Sequence, residues 1–346
     1  MEGGLDVDVD GARAVAATAP LLSVRDLRTY FVTAEGVVKA VDGVSFDVDR
    51  GERLAIVGES GSGKSATALS ILRLVDPPAG HVVSGQVLLD GTDLLSLRED
   101  ELRAVRGRRV GYVFQDPMTA LDPVFTVGSQ LIETLRLHTG VSRRQARQRA
   151  IELLADVQIA QPERRMDAYP HQLSGGMRQR VVIALALACS PSLLIADEPT
   201  TALDVTTQAQ ILDVLFGLAR DRGTAVLLIT HDLGVVAATC ERVQVMYAGR
   251  VVEKGRTAEV FAAPRHPYTA ALLGSVVRRD TERTDRLTPV PGSPPSLLAV
   301  PSGCTFHPRC TYCDTTCSTE VPVWQGGATD GVSCHLADRL RLTGAS

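Results

Sequence analysis

The sequence is poor in lysine, in aromatic residues and in long apolar runs. Lysine supplies only three of the 36 basic residues, at Lys39, Lys64 and Lys254, and phenylalanine, tryptophan and tyrosine together make up 4% of the chain. The longest apolar stretches, such as residues 181–189, fall far short of the ~20 residues that a bilayer-spanning helix requires. The net charge of -4 gives no overall basic field of the kind that draws a protein onto nucleic acid. The composition therefore predicts neither a membrane span nor a nucleic-acid partner.

The first 20 residues are acidic and alanine-rich and show no hydrophobic periodicity. We interpret residues 1–20 as a disordered tail. Because acidic residues precede the first arginine and no apolar h-region follows, the tail does not resemble a secretory signal peptide, and we expect the protein to stay in the cytosol. The length of 346 residues, at roughly 150 residues per domain, predicts about two domains.

Short β-rich runs alternate with helix-length segments between residues 21 and 255. The β-rich runs at residues 22–27, 37–41, 44–48 and 53–57 come first, and apolar runs at 110–114, 193–196, 225–230 and 243–247 follow. The alternation of these later runs with helix-length segments is typical of an α/β domain with a largely parallel sheet covered on both faces. From about residue 116 to 190 the pattern is helical instead, which predicts a helical insert. Residues 256–346 become arginine-rich, then proline-rich and finally cysteine-rich, which predicts a small, loop-rich extension.

A strand, a glycine-rich turn and a helix follow one another between residues 54 and 74. Residues 58–65, here called the P-loop, read G-E-S-G-S-G-K-S and match G-x-x-x-x-G-K-[ST] in the context that confirms this motif. Backbone N–H groups and the helix dipole attract phosphate, the lysine reaches the terminal phosphates, and the last serine can ligate Mg²⁺. The sequence therefore predicts a nucleoside triphosphate site on Gly58, Glu59, Ser60, Gly61, Ser62, Gly63, Lys64, Ser65 and Ala66.

Four polar residues follow predicted parallel strands. Asp197 and Glu198 follow one strand, Gln115 a second and His231 a third. Ligands bind at the carboxyl ends of strands in open α/β sheets, so we expect these side chains near the triphosphate. Asp197 would hold Mg²⁺ through its water shell, and Glu198 would orient and deprotonate the attacking water. Taken singly, Gln115 and His231 are equally compatible with ordinary surface or capping positions.

A second anion site is predicted at residues 173–177, L-S-G-G-M, which precede an apolar helical segment. Ser174, Gly175 and Gly176 stand at the start of this helix, where unpaired N–H groups favour an anion, although such a triplet is also a common helix cap. One bound triphosphate needs only one such anion site within a chain. Two phosphate sites in one chain therefore indicate two chains that face each other.

Taken in order, these motifs resemble those of the ATP-binding subunit of ABC transporters. The chain presents Walker A at residues 58–65, a Q-loop at Gln115, the signature at 173–177, Walker B at 193–197 with Glu198, a D-loop at 201–204 and a switch His231. Met177 departs from the general LSGGQ signature, but the phosphate-contacting Ser174 and Gly176 are kept.

The resemblance implies a head-to-tail dimer of ATPases. Ser174 of one chain would then cap the γ-phosphate on the other, with Asp204 as a dimer contact. Glu198, His231 and Lys64 would carry out ATP hydrolysis, and Gln115 would join Ser65 and Asp197 around Mg²⁺. Phe31, or alternatively Tyr30, matches the place of the aromatic residue that stacks on the base.

Four further stretches resemble the oligopeptide/dipeptide and nickel importer branch of this family. They are D-P-M-T-A-L at residues 116–121, R-H-P-Y-T at 265–269, P-P-S-L at 294–297 and G-C-T-F-H-P-R-C at 303–310. The resemblance implies a peripheral protein at the cytoplasmic face of the inner membrane, paired with a second, nonidentical ATPase beneath two permease subunits and fed by an extracytoplasmic solute-binding protein. Uptake of di- or oligopeptides is the leading interpretation. Import of nickel or another small solute, a soluble ABC ATPase outside transport, and a metal or redox sensor are the alternatives.

Five of the seven cysteines lie between residues 304 and 334, with spacing C-x5-C-x2-C-x3-C-x16-C. In a reducing compartment such crowding indicates metal binding before disulfides. The C-x2-C pair of Cys310 and Cys313 by itself permits a zinc knuckle, with His307 or His335 completing the ligands. The resemblance to peptide importers implies instead a 4Fe-4S cluster on Cys304, Cys310, Cys317 and Cys334, with Cys313 as a possible alternate ligand, and a module without metal is the third possibility.

Overall fold

The computed structural model describes residues 19–75, 78–201, 203–275 and 290–344. Most of the predicted N-terminal tail and one D-loop residue, Ala202, lie outside these ranges. The strands are β1 (Leu22–Thr33), β2 (Gly36–Val48), β3 (Arg53–Val57), β4 (Gly80–Leu89), β5 (Thr92–Asp93), β6 (Val110–Val113), β7 (Leu193–Asp197), β8 (Ala225–Ile229), β9 (Arg242–Tyr247), β10 (Arg250–Arg256), β11 (Gln325–Gly326) and β12 (Gly331–Val332).

The α-helices lie in the α/β region, in the segment inserted within it and in the C-terminal extension. They are α1 (Lys64–Ile71), α2 (Glu99–Val105), α3 (Pro117–Ala120), α4 (Val127–Thr139), α5 (Arg143–Asp156), α6 (Pro162–Arg165), α7 (Gly175–Leu187), α8 (Val205–Asp221), α9 (Leu233–Thr239), α10 (Thr257–Ala262), α11 (Pro267–Gly274) and α12 (Thr315–Thr319). Within the four described ranges, none of these helices is long and apolar enough to cross a membrane.

Within the described ranges, the larger sheet has eight strands in the order β11-β12-β10-β9-β3-β8-β7-β6. Its five strands from β9 to β6 are parallel, as the sequence predicts. Both faces of these strands are buried. In β3, Leu54 and Ile56 join the core beneath the smaller sheet, whereas Ala55 and Val57 join the core formed with the helices. Burial on both faces explains why the parallel strands read as continuous apolar runs.

The smaller sheet is antiparallel, with the order β2-β1-β4-β5. It contains the β-rich runs at residues 22–27, 37–41 and 44–48, which the sequence predicts without assigning them to a sheet. Only two residues separate β1 from β2, a connection that allows antiparallel pairing and is far too short for a parallel crossover. The runs at 37–41 and 44–48 are one continuous strand, β2.

Between β6 and β7 the described chain is helical, with helices α3 to α7 and one short 3-10 turn at Pro170–Gln172. Four of these helices, α3, α4, α5 and α7, have side-chain N-caps. Ser142 caps α5 in a box with Gln145, and Ser174 caps α7 by accepting a hydrogen bond from the Met177 N–H. The helical block predicted at about residues 116–190 therefore has helical structure, and its division as a separate domain stays a prediction.

The C-terminal extension joins the main sheet. β12 pairs with β10 through Glu253–Val332 and Lys254–Gly331, and β11 pairs with β12. A small cluster of buried side chains lies within the extension itself: Cys317, Val332, Cys334, Leu336 and Ala337. The extension therefore depends on the α/β core for part of its backbone pairing.

We predict that Gly111→Ala destabilises the protein by about 1–3 kcal/mol. A Cβ at Gly111 in β6 would collide with the Ala186 carbonyl of α7, so the strand and helix would have to separate. The matched control is Gly217→Ala in α8, where a Cβ meets open space and alanine favours the helix. Thermal and urea unfolding of both variants measure the difference, and equal stability of the two variants would contradict this packing argument.

Candidate nucleotide-binding site

The P-loop connects β3 to α1 and is held by main-chain contacts that demand glycine. Gly58 and Gly63 have φ values of 154° and 101°, in the region that L side chains rarely adopt. A Cβ on Gly58 would meet the Met246 carbonyl, and one on Gly63 would meet the Ala40 carbonyl. The loop therefore presents its backbone in one fixed form at the N-terminus of α1.

Lys64 lies buried inside this loop. Its Nζ donates hydrogen bonds to the carbonyl oxygens of Gly58 at 2.8 Å and Glu59 at 2.9 Å. Burial lowers the pKa of Lys64, and the charges of Glu198 and Asp197 oppose that shift. The ammonium group is thus placed at the loop's centre, where a triphosphate would provide its counter-charge.

Asp197 at the end of β7 lies beside the first turn of α1. The Ser65 hydroxyl donates to Asp197 Oδ1 at 2.9 Å, and the Tyr112 hydroxyl donates to Oδ2 at 3.1 Å. Burial raises the pKa of Asp197, while both hydrogen bonds oppose the shift. Ser65 and Asp197, predicted as the Mg²⁺ residues, therefore meet, and their oxygen donors suit that ion.

Tyr112 was not predicted from the sequence as a site residue. It lies on β6, and the β6–β7 pairing aligns it with Ile195, two residues before Asp197. A signal for it exists in the sequence, since a tyrosine in a buried strand needs a partner for its hydroxyl. Its role here is to fix the orientation of the Asp197 carboxylate.

Gln115 and His231, which also follow parallel strands, both contact Glu198. Its Oε2 accepts hydrogen bonds from Gln115 Nε2 at 3.0 Å and Thr201 Oγ1 at 2.9 Å. His231 Nδ1 lies 3.4 Å from Glu198 Oε1. Glu198 itself has a φ of 45°, and its N–H donates to the Ile229 carbonyl of β8, which holds this conformation. Gln115, Glu198 and His231 thus converge, as their positions after parallel strands predict.

The signature residues begin α7. The Ser174 hydroxyl accepts from the Met177 N–H at 3.3 Å, and a Cβ on Gly176 would lie 2.9 Å from Thr207 of α8. Asp204 caps α8 by accepting from the Thr207 N–H at 3.0 Å, and this bond lowers the pKa of Asp204. The roles of Ser174, Gly175, Gly176 and Asp204 toward a second chain stay predictions.

The two candidate base-stacking residues of β1 make different contacts. The Tyr30 hydroxyl donates to Asp42 Oδ1 at 2.9 Å. A Cβ on Gly80 would lie 2.8 Å from the Phe31 ring, so this ring covers Gly80 on the neighbouring strand β4. Unlike Tyr30, Phe31 has no hydroxyl that could hydrogen-bond to a neighbouring strand. Its contact with the base stays a prediction.

The cysteines of the extension form a loose group. Cys304, Cys310, Cys317 and Cys334 line one small cavity together with His266, His307 and His335, and Cys313 is exposed. Among the described residues, no three His, Cys, Asp or Glu side chains are arranged closely enough to hold a metal ion. The structure thus does not confirm the predicted cluster. His307 and His335, the predicted zinc ligands, each place one ring nitrogen near a backbone carbonyl, those of Cys304 and Glu320.

His266 is the polar group that this cavity leaves unsatisfied. Its Nδ1 accepts from the Tyr268 N–H at 3.0 Å, while its Nε2 is buried and has no hydrogen-bond partner among the described residues. Burial lowers the pKa of His266 to about 3, so the ring is neutral and the proton resides on Nε2. Four thiols and a buried N–H donor are groups of the kind that an iron-sulfur cluster uses, but they are not arranged closely enough here to hold a metal ion.

A P-loop, a carboxylate paired with its serine, and a second carboxylate held by glutamine and histidine define a P-loop ATPase. Residues 41–201 match the family described as ABC transporter, and residues 252–317 match the family described as oligopeptide/dipeptide transporter, C-terminal region. A probable peptide ABC transporter ATP-binding protein of Sinorhizobium fredii is 55% identical over 303 residues, covering 88% of this chain and 90% of the relative. The oligopeptide transport ATP-binding protein OppD of Bacillus subtilis is 52% identical over 292 residues, or 84% of this chain and 82% of the relative. The chain therefore belongs to the family of ABC transporter ATP-binding proteins.

Solved structures agree with this fold. The ATP-binding cassette MJ0796, in a dimeric post-hydrolysis state with ADP and Pi, is 32% identical with a TM-score of 0.61, and the match covers 68% of this chain and 98% of that chain. The cassette cbiO1 of Clostridium perfringens, part of an ABC transporter complex, is 30% identical with a TM-score of 0.59, over 70% of this chain and 90% of that chain. The predicted α/β fold with an ABC ATPase core is confirmed.

We predict that Glu198→Gln keeps ATP binding but slows hydrolysis by roughly 10²- to 10⁴-fold, the usual range for loss of a general base. The amide keeps the size of the side chain and its contact with Thr201 but cannot take a proton from water. ATP affinity and steady-state turnover of the purified protein separate the two effects. The control Glu152→Gln alters an exposed carboxylate on α5 and should change neither, and wild-type turnover in Glu198→Gln would refute the assigned role.

Proposed function

We propose that the chain is the ATP-hydrolysing subunit of an importer that takes up di- or oligopeptides across the cytoplasmic membrane. The observation that carries the proposal is the presence in one chain of a complete set of ATPase side chains and of the oligopeptide/dipeptide transporter C-terminal region. Relatives at about half identity over most of both chains are named as peptide transport proteins. Import of nickel or another small solute is the alternative, and the experiment below distinguishes it from import of peptides.

Hydrolysis follows from the residues around the P-loop. Lys64 neutralises charge on the terminal phosphates, and the N–H groups at the start of α1 orient them. Mg²⁺, held by Ser65, Asp197 and Gln115, would offset the charge that develops between the β- and γ-phosphates. Glu198 takes the proton of the attacking water, and its hydrogen bonds from Gln115 and Thr201 aim its carboxylate.

Each site takes its last phosphate contacts from a second ATPase. Ser174, Gly175 and Gly176 place N–H groups at the N-terminus of α7, suited to a γ-phosphate. Ser174 is exposed, and Asp204 lies at the start of the neighbouring α8. In the proposed assembly this second ATPase is a nonidentical subunit, and the two cassettes separate after hydrolysis.

The permease contact lies beside the Q-loop. Met118, Val124 and Phe125 are 50%, 70% and 53% exposed and stand within ten residues of Gln115. Large apolar side chains exposed together mark an interaction surface. Because Gln115 bonds to Glu198, a permease subunit seated on these residues would sense the state of the hydrolytic site. The chain would then work as a peripheral protein at the cytoplasmic face of the membrane, beneath two permease subunits that receive the solute from an extracytoplasmic binding protein.

We predict that the complex purified from native membranes contains permease subunits and that a peptide with its binding protein stimulates ATP hydrolysis in proteoliposomes. Phe125→Asp should remove most of this stimulation while basal hydrolysis by the isolated chain persists, because charge on the contact excludes the permease. Val83→Asp, at a 55% exposed apolar position in the antiparallel sheet, is the matched control. Stimulation by nickel but not by short peptides would replace the peptide assignment, and an ATPase that purifies alone would overturn the transport assignment.

We further propose a 4Fe-4S cluster on Cys304, Cys310, Cys317 and Cys334, with zinc as the alternative. The shared cavity of these four thiols and the unpartnered Nε2 of His266 support the proposal. When bound, the cluster would tie together loops that have little core of their own. Its role is structural.

Anaerobically purified protein should contain iron and sulfide in equal amounts, and Cys310→Ser should lose both because the cluster loses one ligand. Cys313→Ser, at the exposed cysteine outside the cavity, is the matched control and should retain both. Metal and sulfide analysis with the visible absorption spectrum provides the measurement. Zinc without iron or sulfide would reverse the assignment.

A further inference from the structure

Two segments of the C-terminal extension contact the P-loop at Glu59. Tyr268 is the tyrosine of the R-H-P-Y-T stretch on α11, and its hydroxyl accepts a hydrogen bond from the Glu59 N–H at 2.8 Å. Arg309 lies in the G-C-T-F-H-P-R-C stretch, and its two Nη atoms donate to the two carboxylate oxygens of Glu59 at 2.6 and 2.9 Å. In the sequence, both stretches are identified by family resemblance alone, and neither of them is assigned a role in nucleotide binding.

Glu59 is thereby held at every polar group it has. Its N–H and its carboxylate are bonded to the extension, and its carbonyl oxygen accepts from Lys64 Nζ at 2.9 Å. Glu59 therefore links the extension on one side to the phosphate-binding lysine on the other. A rotation of the Glu59 backbone would move both the Lys64 acceptor and the N–H groups that follow it.

The extension holds Arg309 rigidly enough to act as an anchor. Its side chain is only 5% exposed, and Nε donates to the Pro291 carbonyl at 2.6 Å. The guanidinium lies 5.7 Å from the ring centre of Tyr247, at the end of β9, and 5.9 Å from that of Phe306. Such a two-bonded arginine–carboxylate pair is directional as well as strong, and lysine cannot reproduce its geometry.

Tyr268 belongs to the same packed group. Its ring lies 4.6 Å from that of Tyr247 and 5.3 Å from that of Phe306, and the residue is fully buried. The hydroxyl can therefore reach Glu59 in one orientation only. Removing this hydroxyl, as in Tyr268→Phe, keeps the ring packing and deletes the hydrogen bond to the P-loop.

We propose that Arg309 and Tyr268 are positioning residues of the nucleotide site, through which the C-terminal extension holds Glu59 and the P-loop in the form that receives a triphosphate. They act on nucleotide affinity, whereas Glu198 acts on the chemical step. The inference rests on the ATP site and is independent of which solute is transported, so its failure leaves the transport proposal untouched.

The test measures ATP affinity and turnover of the purified full-length chain separately. Tyr268→Phe should raise the Kd for a non-hydrolysable ATP analogue by ~3- to 10-fold, the range for one lost hydrogen bond, and Arg309→Lys by ~10-fold or more, as for a charge-assisted pair. At saturating ATP, kcat should stay within about twofold of wild type, because Glu198 and its partners are untouched. A merely structural defect would lower the active fraction and hence kcat, without raising the Kd.

Two controls make the outcome specific to Glu59. Arg265→Lys weakens another arginine–carboxylate pair of the extension, with Asp338 at 3.5 Å, and should leave the Kd unchanged. In a Glu59→Ala background, whose P-loop still fits the motif, Arg309→Lys should add less than about twofold to the Kd because its partner is gone. An unchanged Kd in both Tyr268→Phe and Arg309→Lys, or full additivity with Glu59→Ala, would overturn the proposal.

Discussion

The nucleotide site depends on the close main-chain contact between the P-loop and its neighbours. Gly58 lies against the Met246 carbonyl of β9 and Gly63 against the Ala40 carbonyl of β2, while the Gly249 N–H donates to the Ser62 carbonyl. These contacts come from both sheets, so the loop can form only where the two sheets meet. Glycine is required there because a side chain would force the sheets apart, and the positions of Lys64 and Ser65 follow from this constraint.

Around this loop, the negatively charged side chains outnumber the positively charged ones. Asp197 and Glu198 bring two carboxylates beside one ammonium, Lys64, and burial works against the charged forms of both Asp197 and Lys64. The excess of negative charge favours a cation over an anion that arrives alone. A triphosphate bound to a divalent ion brings the cation for the two carboxylates and the phosphates for the P-loop, so the carboxylates and the P-loop belong to one site.

Much of this arrangement could be predicted from the sequence, and the failures have physical causes. The parallel strands are buried on both faces and read as apolar runs, and the residues that follow them, Gln115, Glu198 and His231, share one sheet edge by topology. The sequence predicts the β-rich runs of β1 and β2 but not their separate antiparallel sheet, because periodicity does not reveal which strand pairs with which. The contact of Arg309 with Glu59 joins residues 250 positions apart, and no local pattern encodes such a contact.

The pairing of β12 with β10 has a consequence for how the chain acquires its structure. β10 has β9 on one side, and its other side is covered only when residues 331 and 332 reach it. During synthesis, the cassette's sheet therefore carries an open strand edge while some 75 further residues emerge. Exposed edges recruit other strands, so this interval is the period in which the nascent protein is most open to wrong pairing. The extension ends that interval when β12 pairs with Glu253 and Lys254 of this edge.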